Sequence, residues 1–145
     1  MMARRAALLL LLLATAPAAA AGPNDRMPNN WMIGRWFGTG QPNDKSEMWL
    51  AQAFADGRFH VQFRRCRQGK AFDTTNDGVW VLAGAKETIS IDTVDGQKLM
   101  PRHDLYTILS HTPGKQVYRY EGTGFVYTSR KVDAKFAMPR CDLVG

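Results

Sequence analysis

Cysteine is scarce in this chain, with two among 145 residues. No histidine and no third cysteine stands at ligand spacing near Cys66 or Cys141, which argues against a Cys-based metal site. Histidine is scarce too. His60, His103 and His111 fall on different segments with nothing that groups them, so each is expected at the surface, solvated or hydrogen-bonded. A zinc signature, a phosphate-cradling glycine loop, a nucleophile elbow and a Cys-x-x-Cys motif are all missing. No paired acid and base can be placed either, so neither an enzyme nor a cofactor or metal is expected. Finally, no stretch of the mature chain carries the apolar repeat of an amphipathic helix.

The one long apolar run lies at the start. Met1 to about Ala21 reads as a secretory signal peptide, with Arg4 and Arg5 as the positive region, Ala6 to Leu13 as the apolar region and Ala18-Ala19-Ala20 as the cleavage site. Thr15, Pro17 and the alanines dilute this run below the about 20 apolar residues that a membrane span needs. No cysteine follows the cleavage site to accept a lipid. The expectation is a periplasmic or secreted protein without stable membrane insertion. In such a compartment an even cysteine count reads first as one disulfide, tying Cys66 in mid-chain to Cys141 in the tail.

Charge is mild. The full chain carries +6, and loss of Arg4 and Arg5 with the leader leaves +4. That suits solubility and is too small and too scattered for a nucleic-acid groove. The cluster Arg64-Arg65-Cys66-Arg67 with Lys70 reads as a solvated rim. Tyr118-Arg119-Tyr120 has the alternation of a single-strand stacking platform, but export argues against nucleic acid. Asp73 to Gly78 hints at a calcium loop, yet Thr75 replaces the third-position acid and Gly84 stands where the bidentate Glu belongs, so a turn is expected.

What the chain does have is strands. After a polar arm over 22–30, residues 31–145 predict a single domain of about eight short strands. Trp31 to Gly40 is the first, with Gly34-x-Trp36 placing a large ring two residues beyond a glycine on one face. Glu47 to Phe54 follows and would also suit a helical turn. Arg58 to Arg64 alternates cleanly, with Phe59, Val61 and Phe63 on one face, and Asp56-Gly57 before it is a hairpin signal. Gln68 to Gly78 reads as a polar loop. Val79–Leu82, Thr88–Asp92, His103–Ser110, Lys115–Glu121 and Phe125–Val132 complete the series, with Gln97 to Arg102 as a connection. Short turns and even spacing favour an all-β fold: an antiparallel up-and-down eight-stranded barrel or a strongly curved sheet, with no substantial helix.

This pattern resembles the lipocalins and the wider calycin group. Gly34-Arg35-Trp36 is similar to the lipocalin G-x-W signature of the first strand. Arg130 in the last strand is similar to the basic residue that packs across that Trp at the barrel base. A Cys pair linking barrel wall to tail is similar to a common lipocalin disulfide. The family usually carries a helix after strand eight, whereas here a short Pro-containing tail follows. The resemblance implies a binding site inside the barrel, for which Trp36, Trp49, Phe59, Phe63, Tyr118, Tyr120, Phe125 and Tyr127 would supply the wall. Its occupant would be a small hydrophobic or amphipathic molecule. A solid core of the same rings is the alternative. Small exported barrels of this kind also include protease inhibitors, which makes a protein partner, held by the arm and loops, the second expectation.

Overall fold

A computed structural model describes residues 31–40 and 44–143; the leader and the arm lie outside the described residues. The chain forms eight strands: β1 (Gly34–Thr39), β2 (Glu47–Ala53), β3 (Arg58–Arg67), β4 (Lys70–Ala83), β5 (Lys86–Val94), β6 (Gln97–Thr112), β7 (Lys115–Tyr120) and β8 (Val126–Val132). Every strand pairs antiparallel with its sequence neighbours, and β1 pairs with β8 from Arg35 opposite Val132 to Gly38 opposite Ser129. The sheet therefore closes into an up-and-down barrel. Closure leaves no free sheet edge along these strands. Among the described residues the only helical turn is a 3-10 turn at Cys141–Leu143, and no helix is long and apolar enough to cross a membrane.

The Glu47–Ala53 segment is a strand, not a helical turn, because Trp49 packs into the barrel core and Ala53 faces the same way. Two expectations fail in the same manner. Residues 70–78 are not a loop but the first half of β4, and Gln97 to Arg102 is not a connection but the start of β6. Both pieces lie on long hairpins that rise past the barrel wall, where polar residues are solvated on both faces and leave no alternation to read. Their turns are two residues long. Gln68-Gly69 and Asp95-Gly96 adopt positive φ at both positions, the conformation that matches the twist of a tight hairpin. Asp73 to Gly78 therefore forms neither a calcium loop nor a turn: it pairs residue by residue with β3.

The tail takes the place of an outer helix. Arg35 donates to the carbonyls of Asp133, Ala134 and Phe136, and Arg64 to that of Pro139. Phe136 meets Phe37 at 4.9 Å. The predicted disulfide joins Cys66 on β3 to Cys141, with Cα atoms 5.3 Å apart. The tail thus runs across the outside of β1, β2 and β3, which is why Phe37 and Met48 are buried although they face outward.

Candidate functional site

Side chains on a strand alternate between faces, so one position settles the rest. Trp36 is 2 % exposed and points inward, and with it Gly34 and Gly38. Gly38 stands opposite Trp49 on β2. A Cβ at Gly38 would lie 2.2 Å from Cζ2 of Trp49, so the missing side chain is the space into which the Trp49 ring lies. That lets Trp49 cross β1 and meet Tyr127 of β8 edge-on at 5.5 Å. From Tyr127 the rings continue to Tyr118 at 5.9 Å, to Tyr106 at 5.7 Å and to Tyr120 at 5.1 Å. A belt of five rings lines the wall.

The belt surrounds a cavity of about 330 Å³. All eight aromatic residues expected from the sequence line it: Trp36, Trp49, Phe59, Phe63, Tyr118, Tyr120, Phe125 and Tyr127. Phe125 is half exposed, in the β7–β8 turn. The sequence reading missed Tyr106, Glu87, Arg102, Asp104 and Gln116, which line the same space. Their signal was the same parity rule: Glu87 is in phase with Ile89 and Ile91, and Asp104 with Tyr106 and Ile108.

One end of the barrel is plugged. Met32 is buried there, its carbonyl accepts from Trp36 Nε1 at 2.8 Å, and Trp31 stacks on His111 at 4.1 Å. The cation over the Trp36 ring is Lys131, at 5.2 Å, with its ammonium donating to the Trp31 carbonyl. The expected partner, Arg130, is not there. Arg130 faces outward between Phe37 and Phe136, at 5.3 and 4.9 Å from their rings. The register explains this correction: Trp36 is opposite Lys131 and Phe37 is opposite Arg130, so a one-residue offset changes the face. Gly34, with φ of 127°, leaves room for the Lys131 stem, whose Cε would stand 2.8 Å from a Cβ there.

Three sets of polar groups stand deep inside, beside Asn76 and the carboxylates of Asp44 and Glu47 that also line the cavity. Asp104 accepts from Tyr120 at 3.2 Å and from Arg102 at 3.3 Å, and its charge raises the Tyr120 hydroxyl pKa. Gln116 Nε2 donates to Ser129 at 2.8 Å, while its Oε1 has no partner. Glu87 is 7 % exposed and has no hydrogen bond or ion pair among the described residues; burial pushes its carboxyl up to about 7. Tyr106 and Tyr118 are raised well above the ordinary phenol value, first by burial and then by neighbouring charge, Glu87 included.

The remaining candidates lie elsewhere. His60 bonds Asp77 at 2.6 Å, His103 bonds Ser90 at 2.7 Å, and neither lines the cavity. Arg65 is held by Glu47 and is half exposed, whereas Arg64, expected on a solvated rim, is largely buried between Asp73 and the Pro139 carbonyl of the tail. Among the described residues no three His, Cys, Asp or Glu side chains gather closely enough to hold a metal ion. No protein-family model and no curated protein matches the chain, so its architecture, a closed eight-stranded antiparallel barrel consistent with the calycin type, rests on its own strand pairing.

Proposed function

We propose that this protein is an exported, lipocalin-like binding protein that holds a small apolar or amphipathic molecule inside its barrel and performs no catalysis of its own. The observation that carries this reading is the cavity of about 330 Å³ walled by the aromatic belt. A barrel serving only as a scaffold would fill that volume with side chains, because apolar voids destabilise a core in proportion to their size. The disulfide supports export, since such bonds persist in oxidising compartments. The Gly34-Arg35-Trp36 motif, with a basic residue over the ring, supports the lipocalin likeness, although that residue is Lys131.

Native mass spectrometry of the protein recovered from its own source, before and after denaturing solvent extraction, tests the reading. A co-purifying small-molecule mass is expected. A bare monomer mass that also fails to take up a neutral hydrophobic fluorophore would overturn it. A second reading, docking to a protein partner, is favoured by one observation. Phe72, Leu99 and Met100 are 56, 54 and 90 % exposed on the projecting β3–β4 and β5–β6 hairpins. Under that reading, replacing Leu99 and Met100 by Ser abolishes partner capture and leaves uptake of small molecules intact.

A further inference from the structure

We propose that the occupant is a small ammonium ion carrying an apolar, preferably aromatic, group, and that its charged nitrogen seats against the Glu87 carboxylate; this rests on the binding reading above. Three independent observations converge on it.

The first is Glu87 itself. A carboxyl group this deeply buried without a donor is costly, and none of the described residues supplies one. Its neighbours in phase on β5 are Ile89 and Ile91, and an apolar residue at 87 would continue that row. A residue kept against stability inside a cavity is a mark of a site. The second is the sign of the charge. Although the chain is basic overall, among the described residues Asp44, Glu47, Glu87 and Asp104 line the cavity against a single cation, Arg102. Arg102 is already bound to Asp104 and Glu47 to Arg65, and Asp44 is exposed and accepts from Ser46, which leaves Glu87 as the buried carboxylate without a partner among the described residues. The third is the wall. Tyr106 stands directly opposite Glu87 across β5 and β6 and is joined through Tyr118 and Tyr127 to Trp49. Aromatic rings and a carboxylate lining one cavity are the surroundings that favour an organic cation, which gains cation–π attraction and a charge-assisted hydrogen bond together. The unpartnered Oε1 of Gln116 is a further acceptor in the same cavity.

Calorimetry with the mature, disulfide-bonded protein tests this, using 2-phenylethylamine and its neutral counterpart 2-phenylethanol. The amine should bind at least about tenfold more tightly than the alcohol at pH 8, as a charge-assisted bond predicts. In the Glu87→Gln variant that preference should vanish. If this variant does not fold, the wild-type pH profile decides. The amine stays protonated between pH 5.5 and 8, so its affinity should rise over that range as Glu87 ionises, while alcohol affinity stays flat. The other ionisable groups that line the cavity are Asp44 before β2, Glu47 on β2, Tyr106, Asp104 and Arg102 on β6, Tyr118 and Tyr120 on β7 and Tyr127 on β8. Burial raises the Tyr106 and Tyr118 phenols and the charge of Asp104 raises that of Tyr120, so these three do not ionise in this window. Equal affinities for amine and alcohol, or a flat amine profile, overturn the ammonium assignment and leave the binding barrel standing. If neither compound binds and N-phenyl-1-naphthylamine is not taken up, both readings fall.

Discussion

Glu87 sets the stability of the empty barrel against its use. The carboxyl is raised from 4.5 to about 7 in the folded chain, so the folded state holds a proton that the unfolded state releases between those values. Stability from this residue is therefore full below about pH 4.5 and declines as pH rises through 7. Replacing Glu87 by Gln removes the decline. Urea denaturation at pH 8 should show the variant more stable than the parent by up to about 3 kcal/mol, with the two converging near pH 4. Gly38 works in the opposite sense. In Gly38→Ala the new methyl meets Trp49 and the Thr128 carbonyl, at 2.9 Å, and the backbone cannot give way as a side chain could. A loss of about 2 kcal/mol is expected from overpacking, read from the denaturation midpoint, with a changed near-ultraviolet circular dichroism spectrum as Trp49 leaves the belt.

Among the elements, the tail is the one whose role depends on a single covalent bond. The disulfide closes a span of 75 residues, and the chain-entropy argument gives it about 4 kcal/mol as an upper value. Cys66→Ser with Cys141→Ser should lower stability by about 2–4 kcal/mol and make Phe37 and Met48 accessible, which hydrogen exchange along β1 and β2 will report as faster amides. Arg35 and Arg64 still hold the tail carbonyls in that variant, so the cavity should persist. The strands themselves differed in how legible they were. β3 announced itself because Phe59, Val61 and Phe63 alternate with polar residues over a buried wall. β4 and β6 were cut short in the reading, because Lys70–Asp73 and Gln97–Arg102 stand beyond the core and no buried face imprints a period on them. Arg130 and Lys131 show the other limit: adjacent basic residues on one strand look alike in sequence, and only the register with β1 tells which one meets Trp36.

For the molecule as a whole, eight aromatic positions in the cavity wall were legible because strand alternation and ring size both survive in the sequence. The charge inside was not, because a lone Glu or Asp within a strand looks like a solvated one until the opposite wall is known. Enclosure has a measurable consequence at high pH. Tyr106 and Tyr118 resist ionisation in the folded barrel, so stability present below about pH 10 is lost as pH rises further. Absorbance titration should show Tyr106 and Tyr118 ionising together in one steep, cooperative step that coincides with loss of the β-sheet signal. Closure through β1 and β8 also imposes an order in time. The first strand has no second neighbour until residues 129–132 exist, and Lys131 must arrive before Trp31 and Trp36 are capped. A chain made or threaded from its N-terminus therefore has no interior for most of its passage. On the binding proposal, an occupant would be collected where the finished chain first folds, and that place would select it as surely as the wall does.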